Sequence, residues 1–165
     1  MGTKVIDITR ASRNDFSDIQ ALFRKMFEIF HVDQNIEYPY TGNGISYLRN
    51  CIEHRIALVA KDNERTVGFL TGGIEAAPSF KTYRQHGHIH NLYVLEEYRG
   101  QGIGKRLILR FIQICEENDV GRIITDSDDI EILRRFYTSL GFRISGVNYE
   151  FVSTRKNPIP GKDKL

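Results

Sequence analysis

Two spacings of apolar side chains run along this chain, and the changes between them mark out its elements. Val5, Ile6 and Ile8 stand among polar neighbours over 4–10, the period of a strand with one buried face. Phe16, Ile19, Leu22, Phe23, Met26, Phe27 and Phe30 then recur at helical spacing, predicting a helix over about 15–30 with Asn14 or Asp15 as its cap. The stretch 31–44 holds Pro39, Gly42 and Gly44 and reads as a loop, and Ile45, Leu48 and Ile52 predict a shorter second helix. Runs at 56–60 and 66–74 flank the polar Asp62-Asn63-Glu64 and read as a hairpin. A loop at 76–85, a strand at 88–94 and a glycine turn at 99–104 follow. Ile103, Leu107, Ile108, Phe111, Ile112 and Cys115 form a second helical stripe, which Gly121 is expected to stop. A short strand at 122–125, a helix at 130–140 ended by Gly141, and a last strand at 142–152 complete the pattern. The order is β-α-α-β-β-β-α-β-α-β. Helices alternate with strands only in the second half, so the expected class is α/β of the α+β kind, with a mixed sheet rather than a purely parallel one.

Composition narrows the function classes. The 165 residues fit one domain, expected over 1–155, with 156–165 as a loose tail holding two prolines and three lysines. Twenty-three basic against 21 acidic residues leave a net charge of +2, too balanced for a general nucleic-acid binder. No apolar run is long enough to span a bilayer and residues 1–10 lack the apolar core of a signal peptide, so no membrane partner and a cytoplasmic location are expected. Cys51 and Cys115 stand in no metal-ligand spacing. Cys115 lies on an apolar stripe, which argues against a covalent acyl-enzyme.

The most informative segment is Tyr98-Arg99-Gly100-Gln101-Gly102-Ile103-Gly104-Lys105-Arg106, between a strand and a long amphipathic helix. The first turn of a helix has amides with no internal acceptor, and its dipole adds partial positive charge. Glycines let a phosphate or diphosphate approach those amides, and Arg99, Lys105 and Arg106 add cations. Two familiar phosphate motifs fail here. The P-loop pattern would need glycine at Arg99 and Ser or Thr at Arg106, and the dinucleotide fingerprint would need glycine at Lys105.

What remains is [RQ]-x-x-G-x-[GA], filled by Arg99, Gly102 and Gly104. With Asn91-Leu92-Tyr93-Val94 before it and Phe136-Tyr137-Thr138-Ser139-Leu140-Gly141-Phe142 after it, the chain resembles the GNAT family of N-acetyltransferases. That resemblance implies a mostly antiparallel central sheet flanked by helices on both faces, and acetyl-CoA as cosubstrate. It implies that the turn from Arg99 through Gly100, Gln101, Gly102, Ile103 and Gly104 to Lys105 holds the diphosphate. It further implies that the strand carrying Leu92, Tyr93 and Val94 splays from its neighbour and pairs with the pantetheine amides. Tyr137 matches the tyrosine that many relatives use to protonate the leaving thiolate. One departure stands out: where relatives often carry asparagine seven positions before that tyrosine, this chain has Ile130.

The base is left between readings. His86, His88 and His90 alternate and so share one strand face, which by simple alternation continues into Leu92 and Val94. His88 matches the position of a glutamate base in some relatives, and a histidine can do that work directly or through a water. Equally, His88 and His90 can be ordinary polar residues of a half-exposed strand. Three histidines on one strand also raise zinc, but no carboxylate or cysteine ligand is evident beside them, so no metal is expected. For the acceptor, the resemblance points to the loop between the first two helices, where Asp33, Glu37, Tyr38 and Tyr40 suit a cationic amine. A small-molecule amine is the leading expectation. A protein N-terminus or lysine as acceptor, and a non-catalytic acyl-CoA sensor, are the alternatives; a homodimer is compatible with all three.

Overall fold

The computed structural model describes residues 5–31, 44–127 and 131–146. β1 (Ile6–Arg10) leads through a 3-10 turn at Arg13–Asp15 into α1 (Phe16–His31), and α2 (Ile45–His54) follows. β2 (Ile56–Asp62) and β3 (Arg65–Ala76) make the hairpin, and β4 (Gln85–Val94) returns beside it. A 3-10 turn at Glu96–Tyr98 enters α3 (Ile103–Glu116), and β5 (Ile123–Thr125) and α4 (Glu131–Ser139) come last. The strands lie in the sheet order β1-β2-β3-β4-β5. The first three pairings are antiparallel and β4–β5 is parallel, as a mostly antiparallel mixed sheet requires. Among the described residues no helix is long and apolar enough to cross a membrane.

Helices cover both faces of the sheet. α3 lays Phe111 and Cys115 on one face, over Gly72 and Gly87; a Cβ at those glycines would stand 2.7 Å from the Phe111 ring and 2.6 Å from Cys115 Sγ. The missing side chains are what let the helix sit that low on the strands. On the other face Phe23 of α1 packs on Phe69 of β3 at 6.3 Å between ring centroids, and Tyr47 of α2 reaches the Thr71 hydroxyl at 3.1 Å. Phe69 and Phe111 are fully buried, one on each side.

Several boundaries differ from the sequence reading. Neither Asn14 nor Asp15 caps α1 forwards. Instead Asp15 turns back, accepting from the Ser12 amide at 2.7 Å and the Ser12 hydroxyl at 2.8 Å. α3 is ended not by Gly121 but by Asp119, at φ 59°, with the Val120 amide donating to Cys115 and that of Asp119 to Glu116. Short polar side chains tolerate that left-handed position, so no glycine is needed there. The last strand is not formed over the part described: 142–146 is irregular backbone, and 147–152 lie outside the described residues. Its first amide, that of Phe142, is spent on the Tyr137 carbonyl in the turn that ends α4 at Gly141 (φ 87°).

The largest correction concerns register. Leu70 pairs with Leu92 and Thr71 with Asn91, but Gly72 pairs with Ile89, so β4 carries one extra residue at His90. The alternation therefore slips. His86, His88 and His90 share the face of Thr71, Gly73 and Glu75, towards α2. Leu92 and Val94, expected on that same face, lie on the opposite one, opposite Leu70 and Gly68, where a Cβ on Gly104 of α3 would come within 3.9 Å of Leu92.

Candidate active site

The bulge is also where the sheet opens. β5 pairs with β4 only at Gly87–Ile123, His88–Ile124 and Ile89–Thr125. The Thr125 hydroxyl then closes the ladder on the Ile89 carbonyl at 3.2 Å. β4 continues to Val94 with no strand on that side among the described residues. Among the described residues this leaves a gap beside the backbone of His90 to Val94, where the Val94 carbonyl accepts from Arg99 Nε at 3.0 Å.

The glycine turn lies at the far end of this gap. Tyr98 anchors it, donating from a buried hydroxyl to Asp62 at 2.7 Å, and Arg65 adds an ion pair to Glu97 at 2.9 Å. Gly100 (φ 74°) and Gly102 (φ 77°) both take the left-handed conformation, and no described residue lies within 4 Å of where their Cβ atoms would be. Gly102 is the N-cap of α3 and gives it no side-chain cap, and the first turn holds no acidic residue. The amides of Gly102, Ile103, Gly104 and Lys105 are thus the ones a helix cannot satisfy itself, while Arg106 is the first to bond back, to the Gly102 carbonyl. Open space over a glycine-lined, uncapped helix start fits a diphosphate. The cations are disposed unequally. Lys105 is exposed on the first turn, Arg99 folds back onto the Val94 carbonyl (3.0 Å) and over the Tyr93 ring, and Arg106 turns away to the Ile6 carbonyl at 2.7 Å.

α4 flanks the same gap. A Cβ on Gly104 would stand 3.4 Å from the Phe136 ring, so α4 packs at the start of α3. Its next residue, Tyr137, is stacked edge-on between Phe136 and Phe142, beside the Thr125 hydroxyl that ends β5. Burial pushes its phenol above the usual range, keeping it protonated through neutral pH. Burial also lifts the Cys115 thiol to about 11, which agrees with excluding it as a nucleophile.

Across the sheet, the histidines gather around a residue the sequence reading passed over. Glu75 of β3 takes His90 Nε2 at 2.7 Å on one oxygen and His88 Nδ1 at 3.2 Å on the other. Asp126, just past β5, sits 3.1 Å from His88 Nε2. The expectation that no carboxylate stands near the histidines is thereby overturned. The signal was present: counting back symmetrically from the 76–85 loop places Glu75 opposite His86, its observed partner. Arg55 adds an ion pair to Glu75 at 3.0 Å. Burial raises the Glu75 carboxyl, but the hydrogen bonds of His90 and His88 outweigh it and hold the group below its usual range. Burial likewise lowers His90, against the pull of Glu75. On its other nitrogen, His90 Nδ1 lies 3.3 Å from the Tyr47 hydroxyl, which also accepts from Asn91 at 2.7 Å. Asp33, Glu37, Tyr38 and Tyr40, expected at the acceptor, lie outside the described residues, as does Ile130. Tyr47, Asn91 and Thr71 join the histidines and Glu75 as polar groups described on that side.

With this geometry in place, comparison with known proteins is specific. The family model for the acetyltransferase (GNAT) family matches residues 17–142. Human N-acetyltransferase 8B is 29% identical over 111 residues, 67% of this chain and 47% of that protein. The chain therefore spans about half the length of that curated relative. Among solved structures, the aminoglycoside N-acetyltransferase AAC(6')-Iy in complex with CoA is 15% identical with a TM-score of 0.74, covering 92% of this chain and 97% of its own. A predicted acetyltransferase from Clostridium acetobutylicum, solved with acetyl-CoA, also reaches a TM-score of 0.74 at 16% identity, covering 93% and 99%. At these identities the structural likeness speaks for the fold.

Proposed function

The chain belongs to the GNAT acetyltransferase family, and from that premise we propose that it transfers an acetyl group from acetyl-CoA to a primary amine by direct attack. One observation carries the reading: β4 and β5 part beside an uncapped, glycine-lined helix start, with Tyr137 at the point of parting. In this reading the amides from Gly102 to Lys105 hold the diphosphate. The open edge from His90 to Val94 pairs with the pantetheine amides, in the manner of an added strand. The bulge gives this arrangement two sides. Leu92 and Val94 serve the cofactor on the α3 face, while His88 and His90 meet the acceptor on the α2 face, and the thioester threads the gap between them.

The chemistry then follows from charge. The amine lone pair attacks the thioester carbonyl, the carbon–sulfur bond breaks, and the thiolate takes the Tyr137 proton. His90, held by Glu75 through Nε2–H, accepts the amine proton at Nδ1 through the Tyr47 hydroxyl or a water. His88 is the alternative base, with Glu75 and Asp126 on its two nitrogens.

A small cationic amine is the acceptor this reading favours. Two carboxylates, Glu75 and Asp126, stand on the acceptor side, and the neighbour AAC(6')-Iy is an aminoglycoside N-acetyltransferase by its description. The test is free-thiol release from acetyl-CoA across a panel of aminoglycosides, polyamines and peptides with free N-termini, alongside calorimetric binding of acetyl-CoA. Turnover with small polyvalent amines is the expected result. Turnover with peptides alone would transfer the reading to a protein acceptor. Binding with no turnover anywhere would make the chain an acyl-CoA sensor.

A further inference from the structure

We propose that Glu75, His88 and His90 form a binding site for a divalent transition cation, zinc being the best match to the donor set. The site lies on the acceptor side of the sheet, apart from the cofactor cradle. Each residue offers one donor atom, and the three atoms lie within 4.8 Å of one another. The side chains of His88 and His90 are 20% and 17% exposed and that of Glu75 31%, so the donors are sheltered yet reachable. Two imidazoles and a carboxylate are a set that zinc accepts, with its remaining position open to water.

The outer partners carry the argument furthest. His88 Nε2 faces Asp126 Oδ2 at 3.1 Å, and a carboxylate can only accept, so this nitrogen bears the proton. With Nε2 turned to Asp126, Nδ1 is the nitrogen that faces Glu75 Oε2, at 3.2 Å, and a metal ion would take both as ligands. His90 can join by exchanging its hydrogen bond to Glu75 for one to Tyr47. Its proton moves from Nε2 to Nδ1, where the Tyr47 oxygen accepts it, and Tyr47 still donates to Thr71 at 3.1 Å. Metal-binding histidines typically have this outer contact, which fixes the ligating nitrogen as the bare one. The Arg55 ion pair falls on Glu75 Oε1, and the other carboxylate oxygen, 3.2 Å from His88 Nδ1 and 3.9 Å from His86 Nε2, faces the metal position.

If His90 is the base, occupancy of Nε2 suppresses acetyl transfer; this consequence rests on the proposed function, whereas binding does not. The full chain, stripped with a chelator, is titrated with Zn²⁺ by calorimetry and with Co²⁺ by visible absorption. One saturable Zn²⁺ site and ligand-field bands typical of nitrogen and oxygen ligation are expected. Ring-nitrogen NMR of the unmutated chain should shift at His88 and His90. Asp126→Asn should weaken Zn²⁺ roughly tenfold, and His88→Gln or His90→Gln by more. Thiol release, where present, should fall with Zn²⁺ and return with chelator. Absence of saturable binding overturns the site. Binding that neither histidine variant weakens, or that leaves both ring signals unmoved, places the metal elsewhere and overturns it equally.

Discussion

Gly102 holds φ at 77°, with empty space where a side chain would begin, at the cap of a helix that has no other cap. Two separate costs attach to changing it. Alanine there costs about 1–2 kcal/mol of stability from backbone conformation alone. Glutamate adds a negative charge to the position where a diphosphate would sit, against the same dipole that favours the anion. Gly102→Glu should therefore abolish acetyl-CoA binding by calorimetry, whereas Gly102→Ala should lower the melting temperature and retain binding. Equal loss in both would mean that the turn, rather than the cradle, was damaged. Tyr137 allows a comparable separation. Tyr137→Phe keeps the ring between Phe136 and Phe142 and removes only the hydroxyl. As a general acid it should cost about 10²-fold or more in kcat while leaving acetyl-CoA affinity intact. As the proposed acid, the phenol would act while protonated, and burial raises its pKa above the usual value of about 10. On the alkaline side the wild-type rate should accordingly fall only above that value, and Tyr137→Phe should lack that limb.

At the scale of elements, the outcome turns on one extra residue in β4. The period-two rule assumes an unbroken pleat, and under it His90, Leu92 and Val94 share a face. The bulge breaks the assumption, and its cause is tertiary: β4 must run beside β3 along its whole length while keeping β5 only as far as Ile89. Nothing in the local spacing of His88 to Val94 encodes that. Gly72, at the register shift, is the nearest sequence mark. A Cβ there would meet the His88 carbonyl at 2.3 Å and the Phe111 ring at 2.7 Å. Gly72→Ala should thus destabilise the fold by about 1–3 kcal/mol, read from urea unfolding. It should also reduce turnover beyond what stability explains, because the strain falls on the backbone between the two sides of the gap. Helices were more legible. The stripes of α1 and α3 hold seven and six apolar residues; α1 and α4 lie within a residue or so of expectation, while α3 stops at Glu116, short of Gly121. The glycine turn was legible because its chemistry is local, residing in backbone conformation and consecutive amides. Glu75 was passed over because its partners are 13 and 15 residues away, and only counting back from the hairpin loop brings it level with the histidines.

The whole molecule carries almost no net charge, at +2, so its pH stability depends on individual buried groups rather than on overall repulsion. Asp15 is one of them, at 5% exposure, tying the entry of α1 to β2 through Lys61. Burial raises its carboxyl, but the Lys61 ammonium and the Ser12 amide and hydroxyl more than offset this and hold it below the usual range. A group with a depressed folded pKa contributes stability that is present above its unfolded value, about 3.9, and is lost as pH falls through the folded one. Lys61 is shifted upwards by the same contact, so its contribution is present at neutral pH and is lost only as pH rises through its folded value, above about 10.4. Asp15→Asn should consequently cost about 1–3 kcal/mol at neutral pH, by leaving the Lys61 ammonium without its carboxylate and weakening the hydrogen bonds from Ser12. The difference between variant and wild type should shrink in acid below the unfolded aspartate value, where the wild type too is protonated. Chemical unfolding at stepped pH measures both curves. A constant gap down to the lowest pH would show that the contact acts by shape and not by charge.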